Sequence, residues 1–243
     1  MIRRFSNPEL LMSGLADYVV ETANNAIATR GRFDFAVSGG SSPKRLYDLL
    51  TSESYRNKVD WKKAYFFLGD ERNVGLEHPD SNYRMVKLSL FDPLDIPSDH
   101  VFPVDTLLTP AEAAVKYEEL IRKHFGGGEC RFDLVLLGLG SNSHTASLFP
   151  HTEVLHEKKA LVSGLFIPEV NMFRITFTAP LINQARHIAF LVYGASKAEA
   201  VAEIIQGDRN IESHPAQLID PVGGALEWFI DEAAAGKLKA VAK

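Results

Sequence analysis

The sequence predicts an α/β fold, with residues 1–243 forming one domain around a mostly parallel, Rossmann-like sheet that has helices on both faces. Short apolar segments typical of strands alternate with longer segments whose apolar residues recur at helical spacing. Residues 132–137 are almost continuously apolar, as expected of a strand covered on both faces in a parallel sheet. The sequence has no repeat, low-complexity tract or linker-like stretch, so we expect a single domain.

The first half of the chain contains clear helix starts. Asn7 and Pro8 supply a cap and a first-turn proline, and the apolar spacing that follows predicts a helix ending at Gly31. Ser42 is expected to cap the next helix, with Pro43 in its first turn. The other elements predicted here are strands at residues 33–37 and 64–68, and a helix at residues 82–90 that residues 80–83 would cap.

The second half continues the alternation of strands and helices. Thr109 and Pro110 open a helix, and the run from Ser196 to Glu199 has the form of a capping box whose helix continues to Gln206. Strands are predicted at residues 132–137, 174–178 and 188–192. A C-terminal helix is predicted to hold Leu226, Trp228, Phe229 and Ile230.

Composition narrows the class of protein. Hydrophobic residues make up 46% of the chain and charged residues 23%, and the net charge of −5 argues against a general nucleic-acid surface. The single cysteine, Cys130, excludes an internal disulfide and is interpreted as a packing residue in a reducing compartment. The first residues lack the apolar run of a signal peptide, and no stretch approaches the roughly 18 to 20 apolar residues that span a bilayer. We therefore expect a cytoplasmic protein that has no membrane partner.

The loop after the first predicted strand has the composition of a phosphate cradle. In a parallel sheet, ligands bind beyond the carboxyl ends of the strands. Gly39 and Gly40 permit close approach of the backbone, and Ser41 and Ser42 add hydroxyl donors at a helix N-terminus that favours an anion. The spacing from these glycines to Lys44 is not that of a P-loop. A tight turn with a helix cap is the alternative interpretation.

Charged residues follow or begin three other strands. Asp70 and Arg72 can orient substrate hydroxyls and offset developing negative charge, or they form a surface ion pair. Lys197 lies at a helix start, where a cation is unfavourable without a nearby anion, although a solvated lysine is the alternative. Arg174 begins an otherwise apolar strand and is either a second anion ligand or half of a structural salt bridge.

The glycine-rich segment after residues 132–137 ends in His144. A histidine there can act as a general base near neutral pH, with Gly138 and Gly140 allowing close approach and a helix expected nearby. A structural or solvated histidine is the alternative. The glycine spacing does not match a dinucleotide fingerprint, and Gly-x-Ser-x-Gly is absent. The other histidines lack metal-ligand spacing, so we expect no metal.

Taken together, these segments resemble the 6-phosphogluconolactonase family over nearly the whole chain, in order and in spacing. The matching segments are residues 38–43, 69–72, 79–83, 144–150, 174–178, 194–198 and 215–219. The wider superfamily includes glucosamine-6-phosphate deaminases, which usually have His-Ile-Ala-Phe-Asn-Glu-Pro where this chain has residues 144–150. They also tend to have Asp-Glu-Tyr at the position of residues 70–72. Both differences favour the lactonase branch.

The resemblance implies hydrolysis of 6-phospho-D-glucono-1,5-lactone to 6-phosphogluconate in the oxidative pentose phosphate pathway, without a cofactor. His144 would take a proton from the attacking water and return it to the ring oxygen that leaves. Arg72 would stabilise developing charge or bind the substrate, and the nearby Asp70 would be a further catalytic residue. The residues implied at the phosphate end are Gly39, Gly40, Ser41, Ser42, Arg174 and Lys197.

The chain departs from the family beside the histidine, where Asn142 and Ser143 replace the usual Asp-Gly. Asn142 keeps an oxygen that can orient His144 but loses the charge, which predicts a lower histidine pKa than an aspartate would give. Either activity is then reduced, or Asp70 or another acid takes over the orienting role. Ser143 costs energy if its position needs a positive φ. Two alternatives therefore stay open, a deaminase-isomerase of amino sugar phosphates and a sugar-phosphate-binding protein with weak catalysis.

Overall fold

The computed structural model describes residues 1–239, which contain ten strands and six α-helices joined by short 3-10 turns. The strands are β1 (Ile2–Phe5), β2 (Phe33–Val37), β3 (Ala64–Leu68), β4 (Asp70–Arg72), β5 (Val101–Phe102), β6 (Leu134–Gly138), β7 (Val162–Ile167), β8 (Met172–Phe177), β9 (His187–Val192) and β10 (Ala225–Asp231). The helices are α1 (Pro8–Arg30), α2 (Ser41–Leu50), α3 (Asn82–Val86), α4 (Pro110–His124), α5 (Ala179–Ile182) and α6 (Ala198–Gln206).

Seven strands form the central sheet in the order β1-β10-β9-β6-β2-β3-β5, and every neighbouring pair is parallel. This arrangement confirms the predicted α/β class with a mostly parallel, Rossmann-like sheet. The strands β4, β8 and β7 form a second, antiparallel sheet. Within residues 1–239 no helix has the length and apolarity that a bilayer span requires.

The central sheet is packed on both faces, as the apolar strands predicted. Phe35 and Val37 of β2 belong to the same buried cluster as residues of α1 and α2. The intervening Ala36 belongs to the cluster that holds residues of α4 and α6. Because successive strand residues point to opposite faces, this alternation places a layer of helices on each side of the sheet. Cys130 is buried with a free thiol, which fits its interpretation as a packing residue.

The small sheet is joined to the central sheet at the carboxyl end of β3. A single residue, Gly69, separates β3 from β4, and its N–H donates to the carbonyl of Val37 at the end of β2. Its carbonyl accepts from the N–H of Phe177 in β8. These two bonds hold the small sheet against the edge where the parallel strands end. The cavity described below lies at that edge.

The predicted C-terminal helix is wrong, because residues 225–231 form β10 between β1 and β9. A short apolar run does not distinguish a buried strand from a buried helix by periodicity alone. The aromatic and β-branched residues of this run favour a strand once the sheet offers two neighbours. Trp228 lies opposite Phe190 of β9, and their rings stack with centroids 3.9 Å apart.

Two predicted helix caps are also wrong. The helix α2 begins one residue before Ser42, with Gly40 at the N-cap and no side-chain cap. The expected capping box from Ser196 does not form, because residues 195–197 make a 3-10 turn and Lys197 is the N-cap of α6. Glu199, the box's acidic member, instead forms an ion pair with Lys237.

Three further elements differ from the expectation. The strand predicted at residues 174–178 exists as β8, but it belongs to the antiparallel sheet because it pairs with β4 and β7. The helix predicted at residues 82–90 is α3 followed by a π-helical turn, Lys87–Phe91. No helix begins next to His144, since the chain forms turns there and a single bridge between Thr145 and Leu148.

Candidate active site

A cavity of about 390 Å³ opens at the carboxyl ends of β2, β6 and β9, where polar chemistry was expected. Nine of the ten candidate site residues line it: Gly39, Gly40, Ser41, Ser42, Asp70, Arg72, His144, Arg174 and Lys197. The tenth, Asn142, lies outside the lining and contacts the ring of His144. The fold therefore brings distant segments of the chain together around one space.

His144 is held on two sides. The ring of Phe149 stacks on its imidazole with centroids 4.0 Å apart and an interplanar angle of 11°. Asn142 Oδ1 lies 2.5 Å from the ring Nδ1 and also accepts the backbone N–H of His144 at 3.2 Å. On its far side, the Asn142 amide donates to both carboxylate oxygens of Glu169, at 2.8 and 2.9 Å. The imidazole thus has a fixed plane and a fixed partner for Nδ1.

Burial dominates the protonation of His144. Removal from water disfavours the imidazolium and lowers the pKa of His144 to about 4. The carboxylates of Asp70 and Glu169 oppose this shift, whereas Lys197 and Arg174 add to it. At neutral pH the ring is therefore uncharged and able to accept a proton. Burial is the leading cause of the lowered pKa of His144. That Asn142 gives a lower histidine pKa than an aspartate would stays a prediction.

The backbone around His144 is built for close approach. A Cβ on Gly140 would overlap the ring Nδ1 and would lie 2.7 Å from Asn142 Oδ1, so only glycine fits there. Ser143 has a φ of 67°, the conformation for which the usual glycine is better suited. Ser143 Oγ lies 3.0 Å from His214 Nδ1, a hydrogen bond that helps to hold the residue in this conformation.

Two arginines face each other across the small sheet. Arg72 of β4 pairs in register with Arg174 of β8, and like charges in such positions destabilise a sheet. Both Nε atoms are buried and find no hydrogen-bond partner within residues 1–239. The nearest carboxylate to Arg174 is that of Asp70, with 3.8 Å between NH1 and Oδ2. Such a pair is suited to an anion that neutralises both guanidinium groups.

The N-terminus of α2 presents free backbone donors to the same cavity. Gly40 has a φ of 102° and caps the helix without a side-chain acceptor, which leaves the first amides of α2 available. Gly39 is required for another reason, since a Cβ there would overlap Asn82 Oδ1. Burial lowers the pKa of Lys197, a shift that a bound anion would reverse. Main-chain amides and cations therefore converge on one space.

Asp70 is anchored away from His144. Its Oδ2 accepts from Ser147 Oγ at 2.7 Å, and its Oδ1 lies 3.3 Å from the amide nitrogen of Asn82. The acid that reaches the histidine through a side chain is instead Glu169, by way of Asn142. Asp70 acts on His144 through its charge alone, which raises the histidine pKa.

The neighbouring Glu71 has a structural role. It is fully buried, and its carboxylate accepts the backbone N–H groups of Arg72, Asn82 and Tyr83, each at 2.7 Å. Burial raises the pKa of Glu71 against these hydrogen bonds. The contacts tie β4 to the start of α3, which fixes Asn82 beside Gly39.

Sequence reasoning assigned no individual role to four residues of this region: Asn82, Ser147, Phe149 and Glu169. The helix cap expected within residues 80–83 is confirmed, since Ser81 Oγ accepts the N–H of Arg84. A helix cap gives no sign that the residue after it, Asn82, lines a cavity. Glu169 lies on the turn between β7 and β8, 27 residues after Asn142 and outside the motifs at the strand ends, so motif spacing could not reveal it.

Fold and cavity together define an α/β enzyme site whose lining contains an uncharged histidine and an excess of cationic groups. The sequence profile of the glucosamine-6-phosphate isomerases/6-phosphogluconolactonase family matches residues 6–228. The chain belongs to this family.

Two relatives and one solved structure that are similar to this chain are all named as 6-phosphogluconolactonases. A 6-phosphogluconolactonase of Synechocystis sp. is 40% identical over 237 residues, which cover 96% of each chain. A probable 6-phosphogluconolactonase 2 of Oryza sativa is 35% identical, covering 98% of this chain and 90% of the relative. Among solved structures, the 6-phosphogluconolactonase from Trypanosoma cruzi superposes with a TM-score of 0.87 at 30% identity, covering 98% of this chain and 97% of the other. The likeness to these proteins extends over nearly the whole fold.

Proposed function

We propose that this protein hydrolyses 6-phospho-D-glucono-1,5-lactone to 6-phospho-D-gluconate in the oxidative pentose phosphate pathway, with His144 as the general base. The observation that carries the proposal is an uncharged His144 whose Nδ1 is engaged by Asn142 in a cavity rich in anion-binding groups. The 6-phosphogluconolactonase name of the relatives supports the choice of substrate.

In the proposed reaction His144 Nε2 removes a proton from water as the water oxygen attacks the lactone carbonyl carbon. The carbonyl oxygen takes up negative charge, which the Arg72 guanidinium offsets. Collapse of this tetrahedral species breaks the bond between the carbonyl carbon and the ring oxygen. The imidazolium returns its proton to the ring oxygen, and the new carboxyl group ionises. The reaction needs no cofactor because water and the positioned base supply all the atoms exchanged.

The phosphate end of the substrate is assigned to the cationic and amide-rich side of the cavity. We place it against the amides of Gly40, Ser41 and Ser42 at the start of α2, within reach of Lys197 and Arg174. A dianionic phosphate there would offset the unfavourable burial of the Arg174 and Lys197 cations. We retain the expectation of a cytoplasmic location.

The test is turnover of freshly generated lactone, coupled to oxidation of 6-phosphogluconate and corrected for spontaneous hydrolysis. His144→Ala is expected to lower kcat by about 10²- to 10⁴-fold, the usual contribution of a general base. His156→Ala is the matched control, because its side chain is 57% exposed on a neighbouring turn. Wild-type turnover in His144→Ala would refute the assignment of the base.

Two outcomes would replace the proposed function. Release of ammonia from glucosamine 6-phosphate, without lactone turnover, would assign the chain to the isomerase side of the family. Binding of 6-phosphogluconate without turnover above the spontaneous rate would indicate a sugar-phosphate-binding protein.

Retained binding of 6-phosphogluconate by His144→Ala would show that the variant loses the chemical step and keeps the binding site.

A further inference from the structure

Three side chains form a chain of contacts from the protein surface to the cavity. Glu169 is exposed on the turn between β7 and β8 and lies outside the cavity lining. Its two carboxylate oxygens lie 2.9 and 2.8 Å from Asn142 Nδ2. Asn142 Oδ1 then lies 2.5 Å from His144 Nδ1. His144 is thus connected through Asn142 to the carboxylate of Glu169, which it does not contact directly.

The Glu169 carboxylate decides which way the Asn142 amide faces, together with the backbone N–H of His144, which donates to Asn142 Oδ1 at 3.2 Å. An ionised carboxylate only accepts hydrogen bonds, so the atom it contacts with both oxygens must be the amide nitrogen. The two ends of an asparagine amide have almost the same shape, and the hydrogen-bond partners are what distinguish them. With its nitrogen committed to Glu169, Asn142 presents its oxygen to His144.

The asparagine oxygen in turn decides which nitrogen of His144 carries the proton. An amide oxygen cannot donate, so the ring atom that contacts it must be a protonated Nδ1. In a neutral imidazole the lone pair is then on Nε2. We propose that Glu169 is a positioning residue that, through Asn142, holds His144 in the tautomer whose Nε2 can accept a proton. This inference rests on the general-base role proposed above.

Loss of the carboxylate would release this constraint. The backbone N–H of His144 would then be the remaining hydrogen bond to Asn142 Oδ1, at 3.2 Å. If the amide rotates at the loss of this bond, its nitrogen donates to Nδ1 and the ring proton moves to Nε2. That tautomer cannot take a proton from water at Nε2. Charged groups acting on His144 from the surrounding elements are Asp70, Glu169, Lys197 and Arg174. Removal of Glu169 takes away one of the two negative charges, so the histidine would also become a weaker base.

The experiment compares Glu169→Ala with Glu153→Ala, a control that removes an exposed glutamate from a neighbouring turn. Nitrogen-15 NMR of labelled histidine reports the tautomer of His144 directly, and His144→Ala identifies its signals. We expect protonated Nδ1 in the wild type and the control, and a shift toward protonated Nε2 in Glu169→Ala. We also expect kcat to fall about tenfold, with KM little changed, as only part of the base's contribution is lost.

A donor-acceptor exchange provides the rescue. Asn142→Asp alone places a second carboxylate against that of Glu169. The repulsion between the two should displace the new carboxylate from His144. In the double variant Asn142→Asp/Glu169→Gln, the new amide donates to the new carboxylate, so the contact is kept with its donor and acceptor exchanged. We expect this variant to restore the protonated Nδ1 and to regain most of the kcat lost in Glu169→Ala. Its histidine pKa should exceed that of the wild type, because the charge now adjoins the ring.

The inference is overturned if His144 in Glu169→Ala keeps the wild-type tautomer. It is also overturned if the double variant behaves no better than Asn142→Asp in the NMR experiment. The tautomer is measured without substrate, so these outcomes do not depend on lactonase activity. If no variant turns over lactone, the proposed function fails while the tautomer still decides the role of Glu169.

Discussion

Burial of a neutral histidine predicts a specific loss of stability in acid. The unfolded chain binds a proton at His144 with a pKa near the ordinary 6.5, whereas the folded protein does so only near a pKa of about 4. Between these values the unfolded state holds more protons, so the free energy of unfolding falls as the pH decreases from 6.5 toward 4. For one such group, the loss between about pH 7.5 and about pH 5 is about 2 kcal/mol.

The perturbation that isolates this effect is His144→Ala, studied by urea unfolding at about pH 7.5 and about pH 5, on either side of most of the titration. The variant loses the stacking contact with Phe149 at both pH values, so its absolute stability is not the quantity of interest. We expect the wild type to lose about 2 kcal/mol more than the variant on acidification. His156→Ala, which removes a half-exposed ring, should follow the wild type.

An equal loss in the wild type and His144→Ala, within about 0.5 kcal/mol, would refute the reasoning. It would mean that His144 is not held neutral by burial. Because no substrate is present, ionisation of a substrate phosphate does not complicate the measurement. The comparison also cancels other titrating groups, including His187, whose pKa burial lowers as well.

Two further predictions concern the walls of the cavity. Gly140→Ala should lower kcat by about 100-fold with little change in KM, because the added methyl group occupies space beside the Nδ1 of His144. Steady-state kinetics measures this loss, and thermal unfolding of the variant shows whether it is still folded. An unchanged kcat would contradict the close approach. Arg174→Ala should raise KM by about tenfold or more with a smaller effect on kcat, since a charged hydrogen bond contributes about 1.5 to 3 kcal/mol. A loss confined to kcat would instead place Arg174 at the reacting carbonyl.

The parallel sheet was predictable because its strands are buried on both faces and their apolar runs are short. The same signal failed at residues 225–231, where a strand and a buried helix have similar composition. The antiparallel pairing of β4 with β8 was also not predicted, because β4 has only three residues and its sequence, Asp-Glu-Arg, is polar. Pairing with β8, rather than any strand preference of its own residues, forms β4.

The candidate site was predicted better than the contacts within it. Residues at strand ends converge in any parallel sheet, and this rule was enough to group His144 with Arg72 and Lys197. The rule cannot say which acid reaches the histidine. Asp70 was the acid that the strand-end motifs offered, but its carboxylate is engaged by Ser147. The connection to Glu169 depends on the fold of the β7–β8 turn, which a single sequence does not encode in any short motif.

The opposed arginines of the small sheet have a consequence for thermal stability. Arg72 and Arg174 repel each other across β4 and β8 while their Nε atoms stay without partners among residues 1–239. The small sheet thus has a weak point at the edge of the candidate site, a trade of stability for function. A bound ligand whose negative charge lies beside these side chains would reduce the repulsion between them. The melting temperature of this protein should accordingly depend on the concentration of its own substrate and product.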